Sequence, residues 1–259
     1  MNSPLPGYAA HFGVENIPFG IASSKLHPAP QCVTRFEDNV IFLADIVSKM
    51  EEIQALPQNI FSKPTLNDFA ALPRSIHQQL RRRLQSLLET LSNGAQDQDE
   101  QSRSSLGSAM EAISAVTMHL PVQCSDFTDF SCSADHVQNA SEAMTGTRSH
   151  PPAFFHQPVG YAGRCSSLDI SGTPQARPYG QFWSGKPGAS EIVFRPSRRM
   201  DFELELGCII GKPLARRGRV YAKDAGEHIF GFVLINDWSG ECNFARPKIS
   251  LSHESNTHT

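Results

Sequence analysis

Proline and glycine, eighteen of each among 259 residues, cut the apolar parts of this chain into short pieces. Proline removes a backbone donor and fixes φ, and glycine weakens both helices and strands, so this punctuation favours short strands joined by turns. Val14 to Ile21 is interrupted by Pro18 and Gly20, and His27 to Pro30 reads as a turn. Gln31 to Leu43 reads as strand material, followed by Ala44 to Met50 as a short helix. A small β-rich unit fits this pattern. The clearest helix is Ser75 to Leu91, where Ile76, Leu80, Leu84, Leu87, Leu88 and Leu91 recur at steps of three and four. Pro73 lies before it and Asn93-Gly94 supplies a stop. Arg81, Arg82 and Arg83 read as a solvated face of that helix. The fold class that follows is mainly β with some α.

Residues 95 to 108 are polar and read as a linker or mobile loop. From Met118 onward the chain is rich in Pro, Gly and aromatic residues, with several strand signals. Residues 1–116 are therefore expected to form one unit with its helix and linker, 117–239 a second unit, and 240–259 a tail without periodicity. Lys plus Arg is 23 and Asp plus Glu is 26, a balance that argues against a general nucleic-acid binder. The apolar runs are too short to span a bilayer, and the N-terminal residues lack the pattern of a secretory signal. Cys32, Cys124, Cys132, Cys165, Cys208 and Cys242 form no CxxC pair, so the expectation is reduced, mostly buried thiols in a cytoplasmic protein.

Four acidic positions carry the chemical signal. In Met200 to Ile210 the apolar Phe202, Leu204 and Leu206 alternate with Asp201, Glu203 and Glu205. A period of two is a strand and places Glu203 and Glu205 on one face. Alone, this reads as a strand with a wet acidic face. Ile229 to Asp237 is an apolar run read as a strand buried on both sides, with Asp237 at its end. Asp126 and Asp129 stand among aromatics, and His136 follows. A turn carboxylate and a surface histidine are the simpler readings of each in isolation. Taken together, Asp129, Glu203, Glu205 and Asp237 form an all-oxygen set suited to Mg²⁺ or Ca²⁺ rather than zinc. His136, with an ordinary pKa near neutrality, suits a general base beside such an ion. Gly160, Gly163 and Gly172 imply turns or close backbone approach, and Tyr161 is read evenly as a loop residue or as a phenol facing a cleft.

These pieces, in this order, resemble the fumarylacetoacetase (fumarylacetoacetate hydrolase) family. The likeness rests on ENIPFGI at 15–21, KPTLNDF at 63–69, TMHLP at 117–121 and DFTDF at 126–130 with His136. It continues through PVGYAGR at 158–164, SGTP at 171–174, the Glu203–Glu205 pair and AGEHIFGFVLINDWS at 225–239. The resemblance implies a small SH3-like N-terminal barrel followed by a β-rich catalytic domain, in a homodimer. It implies hydrolysis of a carbon–carbon bond in a β-diketone acid, 4-fumarylacetoacetate plus water giving fumarate and acetoacetate, the last step of tyrosine and phenylalanine catabolism. By the same likeness Asp129, Glu203, Glu205 and Asp237 are metal ligands, His136 the base that activates water, and Tyr161 a substrate contact.

The chain departs from the family pattern at several places. Ser131 stands where the family usually has tyrosine, Thr145 where it has an arginine, and Ala162 where histidine is common. After Ser239 the sequence does not resemble the family's continuation, so the resemblance implies a C-terminally truncated member with an incomplete catalytic domain. The alternative expectation is a non-catalytic relative that binds a divalent ion or pairs with a full-length subunit. Neither nucleic acid nor membrane is an expected partner.

Overall fold

The computed structural model describes residues 7–46, 53, 56–92, 106–183 and 192–240. Expected features at Val47–Met50, most of the 95–108 linker and the 240–259 tail beyond Gly240 lie outside the described residues. The chain divides into two compact units, Met1–Gln123 with Leu206–Val233, and Cys124–Glu205 with Leu234–Thr259.

The first unit is built on an antiparallel sheet. Its strands are β1 (Phe19–Ser23), β2 (Gln31–Phe36), β3 (Asn39–Phe42), β4 (Met110–Ala112) and β5 (Thr117–His119). They lie in the order β4-β3-β2-β1-β5, which leaves β4 and β5 as the edges. The expected strand material at 31–43 is thus a hairpin. Phe36 pairs with Asn39, and the turn places Glu37 at a left-handed φ of 52°. His27, in the expected turn, holds three segments together. Its Nε2 lies 2.9 Å from Asp45 Oδ2 and its Nδ1 2.8 Å from Glu111 Oε1, while its ring stacks on Phe42.

Two helices follow the hairpin, α1 (Asn67–Ala70) and α2 (Arg74–Ser92). The three-and-four spacing of α2 works as expected: Ile76, Leu80, Leu84, Leu87 and Leu88 are buried, against Ile17, Ile21, Ile41 and Phe69. Arg81 departs from the solvated-face reading. Its guanidinium donates to the carbonyls of Ile17 at 3.1 Å and Glu15 at 2.6 Å, tying the ENIPFGI segment to the helix. Asn67 makes a similar tie, since its amide donates to the Gln123 carbonyl and its Oδ1 accepts from the Gln123 N–H, both at 2.9 Å.

The second unit is assembled from paired strands. β6 (Thr128–Phe130) pairs with β7 (Gly160–Ala162), and β8 (Tyr179–Trp183) with β9 (Ile192–Pro196), both antiparallel. Helix α3 (Ala134–Thr145) lies between β6 and β7 in sequence. The Ser133 side chain caps its start by accepting from the His136 N–H, and Gly146 ends it at a φ of 75°. The long strands β10 (Met200–Ile210) and β11 (Ile229–Gly240) pair with each other and run through both units. Among its described residues, Phe182 is the one apolar side chain of the second unit that is buried.

Three expectations are corrected here. The acidic face of β10 is the half-buried one, and Phe202, Leu204 and Leu206 are exposed at 67%, 74% and 68%. β11 is not buried on both sides, since Phe232 and Leu234 are exposed. The thiols are not mostly buried: among the described cysteines Cys32 alone is, and burial pushes its thiol up to about 12. No helix among the described residues is long and apolar enough to cross a membrane.

Candidate metal centre

Three strands bring three carboxylates of the second unit to one point. Asp129 sits in the middle of β6, Glu205 on the inward face of β10, and Asp237 inside β11, where it is 6% exposed. One oxygen from each lies within 4.8 Å of the others. Strand backbones position them rigidly, and alternation decides which residues point inward. The strand β11 extends to Gly240, so Asp237 stands within it rather than at its end.

The electrostatics follow from this crowding. Burial, and then the neighbouring Asp129, Asp237 and Glu203 carboxylates, push the Glu205 carboxyl from its ordinary value of 4.5 up to about 7. A carboxyl near other acids resists ionisation because each added negative charge meets the others in a poorly solvated place. A hard divalent cation relieves that repulsion, and an all-oxygen donor set is the kind such a cation takes. The residues present therefore fit a hard divalent cation. Glu203 shares the half-buried face of β10 and raises Glu205, but it is not one of the three acids that converge.

The other two site residues fall differently. Tyr161 lies directly opposite Asp129 in the β6–β7 ladder, and its phenol donates to Asp129 Oδ2 at 2.5 Å. It holds a member of the acidic cluster, a role that the sequence did not suggest because it depends on strand register. His136 is in the first turn of α3 with an exposed side chain, and it is not among the converging groups.

The glycines of the GYAGR segment have a steric reason. A Cβ on residue 163 would stand 1.9 Å from the Phe127 ring, and one on residue 160 would stand 2.5 Å from the Asp129 carbonyl oxygen. Only glycine lets β7 approach β6 this closely. An open cleft of about 480 Å³ at the end of β6 is lined by Phe130, Ser131, Cys132, Phe154, Phe155 and Val159 among others, and none of the three converging acids lines it.

Sequence comparison places this arrangement. The fumarylacetoacetase N-terminal model matches residues 15–121, and the fumarylacetoacetate (FAA) hydrolase C-terminal model matches residues 125–254. The chain belongs to the fumarylacetoacetase family. The C-terminal match runs past Ser239 into residues outside the description. Fumarylacetoacetase of Caenorhabditis elegans is 38% identical over 232 residues, covering 88% of this chain and 54% of the relative. That of Dictyostelium discoideum is 34% identical over 235 residues, covering 89% and 53%. That of Rattus norvegicus is 35% identical over 232 residues, covering 88% and 54%. The chain thus spans about half the length of the curated relatives it matches. The family is one of hydrolases, and the acidic cluster falls within the part matched by its C-terminal model.

Proposed function

We propose that this chain binds Mg²⁺ or Ca²⁺ through Asp129, Glu205 and Asp237, with Glu203 beside them, and takes part in the hydrolysis of 4-fumarylacetoacetate to fumarate and acetoacetate. The observation that carries the reading is the convergence of three carboxylates from three strands in the domain that matches the hydrolase model. The ion, when bound, supplies Lewis acidity toward the diketone oxygens and the enolate that departs. The protein's own residues do the rest. His136 takes a proton from water so that its oxygen attacks the carbonyl carbon. The carbon–carbon bond breaks, the electron pair stays with the acetoacetate fragment, and the proton is returned to it. Tyr161 fixes the orientation of Asp129 and presents its phenol edge to the substrate. In this reading residues 1–116 supply an SH3-like barrel with its helix and linker, residues 117–239 supply the catalytic part, and the protein acts in the cytoplasm as a homodimer.

The direct test is loss of fumarylacetoacetate absorbance when purified protein and Mg²⁺ or Ca²⁺ are added. Turnover abolished by Asp237→Asn supports the reading. No loss above a metal-only control overturns it for this chain. A second reading is favoured by the exposed apolar face of β10, where Phe202 and Leu204 lack cover among the described residues. It takes the chain as a non-catalytic relative that binds the ion or pairs with a full-length family subunit. Co-purification with a full-length subunit, without turnover by the chain alone, supports that second reading.

A further inference from the structure

Two thiols of the second unit stand at the open end of the strand pair that carries Asp129. The β6–β7 register sets Thr128 against Ala162, Asp129 against Tyr161 and Phe130 against Gly160. The ladder continues one step further, because the Gly163 N–H donates to the Phe127 carbonyl at 2.8 Å. Cys124 comes just before Phe127 in the chain, and Cys165 just after Gly163. The same antiparallel course therefore delivers both to one end of the ladder, whereas Cys132 follows β6 at the opposite end. Cys165 opens a short 3₁₀ turn, Cys165–Ser167, and is half-buried, while Cys124 is exposed. Both are free thiols.

We propose that Cys124 and Cys165 form a reversible disulfide, a redox site that clasps the open end of the β6–β7 pair. A second observation agrees with this placement. Partial desolvation, and then the charge of Cys165, raise the Cys124 thiol above its ordinary value, in keeping with the placement of both at one end of the ladder. The chemistry needs a two-electron oxidant, and a peroxide is the class that fits. One thiol attacks the peroxide to give a sulfenic acid and one water. The other thiol attacks that sulfur, and a second water leaves as the S–S bond forms. An external dithiol reverses the step by exchange. The closed loop contains Asp129, His136 and Tyr161, so the oxidised form limits the freedom of the segment that carries them. The other described thiols are placed differently: Cys32 is buried with its sulfur toward the carbonyls of Ile60 and Lys63, and Cys208 lies on β10.

The test uses the full chain and does not depend on ion binding or turnover. Reduced protein is treated with hydrogen peroxide, its remaining thiols are alkylated, and its peptides are mapped by mass spectrometry. The expected result is a linked peptide joining residues 124 and 165, lost on dithiothreitol treatment and retained in Cys132→Ser. Recovery of both cysteines as alkylated thiols or as higher oxides, or a linkage of either to a different cysteine, overturns the proposal. Because the decisive measurement is made on the unsubstituted chain, a variant that fails to fold leaves it intact.

Discussion

The two units use the same rule of periodicity and reach opposite outcomes. In the first, helix α2 repeats leucine at helical spacing, and Leu80, Leu84 and Leu88 are fully buried in a core shared with the sheet. In the second, β10 repeats apolar residues at strand spacing, yet Phe202 and Leu204 are exposed while Glu203 and Glu205 face inward. Burial of an apolar side chain stabilises by roughly 1.5–3 kcal/mol, so the first unit's stability comes from its own packing. The inward face of β10 is instead occupied by charge, which costs free energy unless a cation or proton answers it. The first unit is organised for stability and the second around a polar site.

The sharpest way to break this contrast is a pair of truncations. Leu84→Ala removes a side chain with no exposure and is expected to cost about 2–5 kcal/mol by urea or thermal unfolding. Phe194→Ala, at a position 72% exposed in the second unit, is expected to change stability by no more than about 0.5 kcal/mol. Equal costs would mean that Phe194 is covered in solution. Gly163→Ala comes next. Its methyl group collides with the Phe127 ring and is expected to cost about 1–3 kcal/mol while loosening the β6–β7 pair, read as exchange of the Gly163 amide hydrogen. Arg81→Ala should cost about 1 kcal/mol by losing its bonds to Glu15 and Ile17, whereas Arg82→Ala, on the exposed face, should fall within about 0.5 kcal/mol of the parent.

The smallest effect expected is a pH dependence with a definite sign. Glu205 holds its proton more tightly folded, with a value of about 7, than unfolded, near 4.5. Its contribution is fully present below about 4.5 and is lost as pH rises toward about 7, so the metal-free protein loses stability across that window. Glu205→Gln removes this slope, and partial solvent exposure of the group keeps it shallow. A thermal midpoint whose pH slope is the same in protein and variant would show that Glu205 is not crowded by its neighbours.

Much of this organisation was legible in the residues, for identifiable reasons. Helix α2 was legible because every residue that fixes its face lies within the helix itself. The strand at Met200–Ile210 and the sharing of one face by Glu203 and Glu205 were legible because alternation is also local. The close approach implied by Gly160 and Gly163 was legible because no other residue tolerates it. Which face of β10 turns inward was not legible, since it is decided by elements distant in sequence. The same holds for β11, where an apolar run suggested burial on both sides and Phe232 and Leu234 are exposed. Tyr161 on Asp129 depends on register, and Arg81 on where residues 15–17 pass over the helix. The choice of Asp129, Glu203, Glu205 and Asp237 drew on their residue type and on the resemblance; the convergence of Asp129, Glu205 and Asp237 without Glu203 is a property of the fold.

The central claim, that these three acids make one site for a hard divalent ion, is tested most directly by calorimetric titration of the metal-free chain with Mg²⁺ and with Ca²⁺ near neutral pH, in buffers of different ionisation enthalpy. The account predicts saturable binding accompanied by proton release as Glu205 gives up its proton, with affinity at least about tenfold weaker in an Asp237→Asn variant that keeps its thermal transition. Binding that is unchanged by that substitution, or no uptake of either ion at millimolar concentration, would contradict it.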